Sequence, residues 1–414
     1  MPFHTHRLPN GLQLIGETIP TSRSIAVGFF VQTGARDEVG TDVVTESGVS
    51  HFLEHMMFKG TPRRTALEVN LDFDRIGASY NAYTSEENTV YYAAVLPEYL
   101  SNAVDILADI LRPSLRLEDF TTEKQVILEE IKMYEDSPGS MAWDHAKQIY
   151  FGKHPLGNSI LGTTASITAL SRDQMQGYFD RRYVASNILA VVAGNFDWAE
   201  YVRLIEAACA TWSNTTAKRE AIHEARGKGG VHTVAKANAT QQHVLVINPG
   251  PPAESPLRYA ASTLAMAIGD ESGSRIYWEL VDPGLVESAG FTTDQSQGCG
   301  IAVATFSCDP EAASDNLGIV RKILNEVQKN GITEEELSQA KNKIASRIVR
   351  YNERPMGRMR SIAGSWMYNA EYSDVDQEMA RFDAITLTTI REYLDRYPVN
   401  ESTVVGYGPL AELA

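Results

Sequence analysis

The chain has 414 residues and a formal net charge of −16. This length exceeds what one hydrophobic core usually serves, so two or more domains are expected. Apolar residues make up 43% of the sequence and charged residues 22%, which is ordinary for a globular protein. The strong negative charge argues against nucleic acid as the main partner.

The three cysteines include no Cys-x-x-Cys pair and are odd in number, so they give no disulfide framework and fit a reducing compartment. The N-terminus lacks a basic region followed by an apolar run, and no apolar stretch reaches the roughly 18 residues of a membrane span. These features predict a cytoplasmic protein with neither a membrane nor a nucleic-acid partner.

The first half of the chain alternates strand-like and helix-like segments. β-Branched and aromatic residues predict strands at 25–31, 80–84, 89–96 and 188–193. Amphipathic spacing predicts helices at 65–76, 98–111, 117–134, 143–151, 173–183 and 198–212. A polar loop at 33–47 leads into one further helix. This order predicts an α+β fold in which helices pack against a sheet.

That further helix carries His51, Glu54 and His55 among apolar residues. Positions i, i+3 and i+4 share one helix face, so the two imidazoles can reach one ion, with the carboxylate beside them. His-x-x-Glu-His is the inverted form of the zincin motif. The alternative is a core helix with two hydrogen-bonded histidines and no metal. A suitable third ligand favours the metal site.

A catalytic zinc site usually takes three protein ligands and a water. The candidates for the third ligand are Glu123, Glu129 and Glu130, all on one long helix. Glu123 and Glu130 are two helical turns apart and share a face, whereas Glu129 turns about 100° away toward solvent. Glu130 is therefore predicted as the ligand, and Glu123 as a catalytic-site acceptor that orients a ligating histidine. The alternative is a solvated charged face with Lys124 and Lys132.

Glu54 is left free of the metal in this arrangement. It is predicted to be the general base that takes a proton from the attacking water and passes it to the leaving amine.

The second half of the sequence repeats the first. Residues 118–138 align without gaps to 335–355, and 169–181 align to 384–396 at nearly the same offset. Two such blocks imply a duplicated domain. The repeat replaces Glu130 with arginine and Glu123 with alanine, and its segment 257–269 holds no His, Asp or Glu. Only the first copy is therefore expected to bind metal.

The polar stretch 214–238 is the predicted linker between a catalytic zinc-binding domain, 1–213, and a homologous non-metal domain, 239–414.

Three motifs resemble the pitrilysin and insulin-degrading-enzyme family of zinc peptidases, the inverzincins. The motifs are His51-Phe-Leu-Glu54-His55-Met-Met-Phe-Lys-Gly-Thr61, Asn81-Ala-Tyr-Thr-Ser85 and Glu123-Lys-Gln-Val-Ile-Leu-Glu-Glu130. The chain is most similar to the half-size branch that includes the mitochondrial processing peptidase and its bacterial relatives. The resemblance covers nearly the whole chain.

The resemblance implies two homologous domains, each a mixed, mostly antiparallel sheet packed with helices, which together form half of a clam-shell chamber. It implies peptide substrates and one zinc ion per chain, held by His51, His55 and Glu130. It also implies an edge strand that pairs with the substrate backbone, formed by Asn81, Ala82, Tyr83 and Thr84.

One feature departs from the family pattern. Active members often carry an arginine and a tyrosine in the second domain that bind the substrate and the oxyanion. The matching stretch, 279–288, has Glu287 at the tyrosine position and Leu280 or Val281 at the arginine position. Arg275 and Tyr277 are nearby, but they are two residues apart, whereas the pair in the family is seven apart. The expected partner is thus an identical chain or a homologous subunit that carries the pair. The alternative is a non-catalytic structural or assembly subunit with the peptidase fold.

Overall fold

The computed structural model describes residues 2–40 and 46–413, which form two compact units. The loop predicted at 33–47 includes residues 41–45, which lie outside the described residues. No helix of the described part is long and apolar enough to cross a membrane.

Neither unit is contiguous in the sequence. Unit 1 runs to Lys132 and adds residues 158–220 and 350–374. Unit 2 contains residues 133–157, residues 221–349 and the chain from Val375 onward. Relative to the predicted division at 214–238, each unit therefore takes one helical segment from the other half of the sequence.

The described residues form eleven strands: β1 Phe3–Arg7, β2 Gln13–Thr18, β3 Ile25–Val31, β4 Ser79–Thr84, β5 Thr89–Val95, β6 Ile188–Gly194, β7 Gly230–Ala235, β8 Gln242–Gly250, β9 Ser288–Ser296, β10 Cys299–Cys308 and β11 Thr403–Gly408. They also form fourteen α-helices: α1 Val49–Met56, α2 Ala66–Arg75, α3 Leu100–Ile110, α4 Leu117–Glu135, α5 Pro138–Phe151, α6 Thr164–Ala169, α7 Arg172–Arg182, α8 Trp198–Cys209, α9 Leu257–Gly269, α10 Ala313–Asn330, α11 Glu334–Asn352, α12 Pro355–Asn369, α13 Val375–Asp383 and α14 Leu387–Arg396.

Five strands have the same topology in both described sheets, and β1 is an additional edge strand of the unit 1 sheet. The unit 1 sheet has the order β1-β2-β6-β3-β5-β4, and the unit 2 sheet has the order β7-β11-β8-β10-β9. In the described residues, each sheet has one parallel pair, β2–β6 and β7–β11, at equivalent places. All the other pairs are antiparallel. The predicted α+β fold of two duplicated domains with mixed, mostly antiparallel sheets is confirmed.

A lysine contact is duplicated together with the sheets. Lys124 Nζ donates to the carbonyl oxygens of Thr168, at 3.0 Å, and Leu170, at 2.6 Å. Lys341 occupies the equivalent position of α11, and its Nζ donates to the carbonyl oxygen of Asp383 at 2.7 Å. The aligned lysines therefore tie the same pair of segments together in both units.

Strand β7 lies inside the predicted linker 214–238. It pairs in parallel with β11 at one edge of the unit 2 sheet. Four of its six residues are exposed, so its sequence lacks the buried apolar run that marks a central strand. The polar composition that suggests a linker is thus partly that of an edge strand.

Helices from the exchanged segments cover the second face of each sheet. On unit 1, α12 packs Met359 and Ile362 against Ala26 and Phe30. On unit 2, α5 packs against β8 and β11. Because helices cover both faces, the central strand β3 is buried along its whole length.

Candidate metal centre

The metal-site helix α1 is held at its N-terminus by an acid from the preceding loop. Its N-cap, Gly48, has φ +86° and no side chain to cap the helix. The Glu38 carboxylate accepts hydrogen bonds from the backbone N–H groups of Gly48 and Ser50, both at 2.9 Å. Burial raises the pKa of Glu38 to about 8, against the lowering effect of these donors. Glu38 therefore satisfies helix donors that no local cap reaches.

The structure brings His51, His55 and Glu130 together. Their ligand atoms all lie within 4.8 Å of one another. Glu130 Oε1 is 3.8 Å from His51 Nε2, and its Oε2 is 3.6 Å from His55 Nε2. Tetrahedral zinc with bonds of about 2.1 Å spaces its donors by about 3.4 Å, and the two Glu130–histidine distances are close to this spacing. Two imidazoles and a carboxylate are a donor set that zinc prefers.

His51 is suited to the neutral form that a metal ligand requires. Burial, together with the smaller effect of the His55 charge, lowers the pKa of His51 to about 3. Its Nδ1 is buried and has no hydrogen-bond partner among the described residues. The orientation of the His51 ring is therefore set by packing in α1.

His55 is oriented by Glu123. Its Nδ1 donates to Glu123 Oε1 at 2.9 Å, which leaves the Nε2 lone pair directed at Glu130. Glu123 Oε2 is 2.6 Å from Lys59 Nζ. Burial raises the pKa of Glu123, but the hydrogen bonds from His55 and Lys59 outweigh it and hold the pKa below its ordinary value. Glu123 is thus a carboxylate that supports the histidine.

Replacing Glu123 with alanine is expected to weaken zinc binding about 10- to 100-fold, because His55 then loses the acceptor that fixes its ring. Competition with a chromophoric chelator measures this change. The matched control is Glu118→Ala on the same helix, since the Glu118 side chain is 81% exposed. Equal zinc affinity in the Glu123 and Glu118 variants would show that the hydrogen bond does not support the site.

Glu54 lies beside the donor triangle. Its side chain interacts electrostatically with His55 and Glu130, and its Oε2 accepts a hydrogen bond from Thr84 Oγ1 at 2.6 Å. Burial raises the pKa of Glu54. A carboxylate in such an environment is a better proton acceptor than one in water.

The predicted substrate-binding residues Asn81, Ala82, Tyr83 and Thr84 lie on β4, at one end of the strand order of the unit 1 sheet. Their side chains alternate between the two faces of the sheet. Thr84 contacts Glu54, so its face is the one that carries the metal centre. Asn81 and Tyr83 point to the opposite face and are exposed.

Glu129 is not part of the site. Its side chain is 72% exposed and bonds Lys132 Nζ at 2.7 Å. At the place in unit 2 that corresponds to Glu130, Arg347 forms an ion pair with Asp270, which also binds Lys343. Among the described residues, His51, His55 and Glu130 are the one group with metal-ligand geometry.

The stretch where the family places its arginine and tyrosine supplies no comparable pair. Leu280 is fully buried. Glu287 accepts a hydrogen bond from Gln241. Arg275 is engaged by Glu336, with Nε–Oε1 2.6 Å and Nη2–Oε2 2.7 Å.

Comparisons with known proteins identify the family of the chain. Residues 14–164 match the family model "Insulinase (Peptidase family M16)", and residues 169–344 match "Peptidase M16 inactive domain". An uncharacterized zinc protease of Streptomyces coelicolor is 32% identical over 93% of this chain and 84% of its own. The chain belongs to peptidase family M16. An M16 relative from Bacillus subtilis, also named an uncharacterized zinc protease, is 29% identical over 92% of each chain.

Two solved structures share the M16 fold over nearly the whole chain. A putative M16-like peptidase from Alicyclobacillus acidocaldarius is 25% identical, with a TM-score of 0.82 and 98% of each chain covered. A protease from Helicobacter pylori is 21% identical, with a TM-score of 0.90 and 99% of each chain covered.

Three contacts of the site cannot be predicted from residue spacing. Glu38, Lys59 and Thr84 each act through a tertiary contact, to the α1 N-terminus, to Glu123 and to Glu54 respectively. None of them has a spacing from its partner that a helix or strand period would reveal. Lys59 and Thr84 do fall inside the family-like motifs.

Proposed function

We propose that this M16 chain is a zinc-dependent endopeptidase that hydrolyses peptides or unfolded segments inside a dimeric chamber. The observation that carries the proposal is the triangle of His51, His55 and Glu130 with the buried carboxylate of Glu54 beside it. One zinc ion held there would polarise a peptide carbonyl and make a water more acidic. The zinc-protease names of relatives at about 30% identity support the same chemistry.

The chain's own residues divide the remaining work. Glu54 accepts a proton from the attacking water and delivers it to the leaving amine. Thr84 holds the Glu54 carboxylate in place through its hydroxyl. Glu123 fixes the tautomer of His55. No described strand pairs with the outer edge of β4, so its backbone can pair with an extended peptide once Asn81 Oδ1 releases the Ala82 N–H.

The decisive experiment combines metal analysis of the purified protein with peptide digestion in the presence and absence of a chelator. About one zinc per chain, and cleavage that stops with chelator and returns on adding zinc, are expected. A protein that carries no zinc, or cleavage that resists the chelator, would contradict the proposal.

The missing arginine and tyrosine bear on which subunit the chain pairs with. We infer that the active form is a heterodimer with a homologous subunit that supplies this pair. Losing one oxyanion donor commonly lowers kcat about 100- to 1,000-fold, so the chain alone should be a weak peptidase. Adding a partner that carries the pair should raise kcat by about that factor. Full activity of the pure homodimer would rule out this division of labour.

A second candidate is a non-catalytic structural or assembly subunit. The absence of the pair in the 279–288 stretch favours it. It predicts zinc binding with no turnover in the presence of any partner. The argument against this candidate is that ionisable side chains on a buried helix lower the stability of the fold. A structural subunit has no physical need for such a cluster.

A further inference from the structure

An arginine on α12 lies over two tyrosines of the unit 1 sheet. Arg360 Cζ is 4.7 Å from the ring centroid of Tyr92 and 5.7 Å from that of Tyr83. Its Nε is buried, and no described residue accepts a hydrogen bond from it. Leaving a buried charged donor unsatisfied costs more than an ordinary hydrogen bond returns. Arg360 as a whole is only half-buried, so the rest of its guanidinium can still meet an acceptor from outside the chain.

The neighbouring arginine on the same helix already has a carboxylate partner. Arg358 Nε donates to the buried Glu17 carboxylate at 2.7 Å, and this contact anchors α12 on the sheet. With α12 anchored, Arg360 extends across β5, which carries Tyr92, to Tyr83 on β4. Its charge is thus directed toward the edge of the sheet.

The edge near Arg360 is accessible. Tyr83 is 39% exposed, and the nearby Tyr351 is 49% exposed. Thr84, one residue further along β4, contacts Glu54 on the opposite face. The tyrosines and Arg360 therefore lie across the sheet from the catalytic carboxylate, about one residue away along the strand.

A peptide that adds to the free edge of β4 places every second side chain on the α12 face. One of those side chains, within about two residues of the scissile bond, then lies next to Tyr83 and the Arg360 guanidinium. Cation–π stacking uses the faces of the guanidinium plane and leaves N–H groups at its rim, in the fork geometry that fits a carboxylate.

We propose that Arg360 is a specificity-determining residue that binds an Asp or Glu side chain of the peptide substrate. This proposal rests on the proposed function for its substrate, but it concerns peptide binding and can be measured without cleavage. A side-chain carboxylate is favoured over a terminal one because β4 continues past Tyr83 and can pair with substrate on both sides of it.

The test uses pairs of peptides that differ only in Glu against Gln at one position, scanned across the residues that flank the cleaved bond. Binding is measured by fluorescence anisotropy with the zinc-loaded full chain carrying Glu54→Gln. We expect one position at which the Glu peptide binds about tenfold tighter than its Gln partner. Each peptide is used with free and amidated C-termini, which separates a side-chain carboxylate from a terminal one.

Two charge-matched variants test whether Arg360 causes the preference for the Glu peptide. Arg360→Gln should bind the Glu and Gln peptides equally, with the Gln peptide unaffected. Arg354→Gln removes the same charge from the exposed N-cap of α12 and should keep the tenfold preference. Thermal unfolding of each variant checks that the fold is retained.

Each result bears on the proposal. Equal binding of Glu and Gln peptides by the Arg360-containing protein overturns it, as does a preference that survives Arg360→Gln or that vanishes on amidation of the C-terminus. If the wild-type chain cleaves peptides without an acidic preference, the proposed subsite is contradicted and the proposed peptidase activity is supported. If it binds acidic peptides preferentially but cleaves none, the subsite is supported and the peptidase activity is contradicted. If no peptide binds, both proposals fail.

Discussion

Replacing Glu54 with glutamine is expected to abolish peptide hydrolysis while leaving zinc in place. Glutamine has the same shape and can still accept the Thr84 hydrogen bond, but it cannot take up a proton. General acid–base catalysis contributes about 100- to 10,000-fold, so kcat should fall by at least this range. Turnover of a fluorogenic peptide gives kcat, and metal analysis gives the zinc content of the same sample.

The control for this variant is Glu129→Gln, which removes an equal charge from an exposed position on α4. It should match the wild type in both measurements. Two results would contradict the assigned role of Glu54. If Glu54→Gln kept more than about a tenth of wild-type kcat, another group would be the base. If it lost zinc, Glu54 would be holding the metal.

The grouping of the candidate metal ligands is predictable from the sequence because it follows helix periodicity. His51, Glu54 and His55 lie on one face of one helix, and Glu123 and Glu130 on one face of another. Within one helix, the spacing of residues determines which side chains point in the same direction. These directions can therefore be predicted before any tertiary structure is known. The duplicated sequence then separates acids that belong to the fold from acids that belong to the site.

The supports of the site could not be predicted in the same way. Glu38 reaches α1 from a loop, and Thr84 reaches Glu54 from a strand thirty positions away. Such contacts depend on how the elements pack, and no local period encodes them. The same holds for the helix exchange, in which α12 covers a sheet built from the other half of the sequence. The apolar face of α12 predicts that this helix is buried, but it does not reveal which surface the helix covers.

The exchange matters for the site as well as for the fold. Arg360 is far from β4 in sequence, and only the placement of α12 on the unit 1 sheet brings it beside Tyr83. A division of the chain at the linker would have assigned Arg360 to the non-metal half. The candidate substrate surface is therefore built from both halves of the sequence, although the candidate metal ligands come from the first half alone.

Replacing Glu130 is expected to remove the metal altogether. Glu130→Gln leaves two imidazoles, one ligand fewer than catalytic zinc sites normally use. The loss of zinc affinity should exceed the 10- to 100-fold expected for a supporting residue such as Glu123, and peptide hydrolysis should disappear with the ion. Zinc content after dialysis against a weak chelator, together with kcat, measures both effects, with Glu118→Gln as the exposed control on α4.

A more informative change at the same position is Glu130→Arg, which copies the residue that unit 2 carries there. In unit 2 the arginine is accommodated because Asp270 pairs with it, with Lys343 on the other carboxylate oxygen. Unit 1 presents His51 and His55 at this position instead, so the new charge should exclude zinc by repulsion as well as by the lost ligand. The Glu130 side chain is 22% exposed, so the longer side chain can turn to solvent and the unit should still fold. If Glu130→Arg kept its zinc, the third ligand would have to come from another residue, and the reasoning that separates the two copies would fail with it.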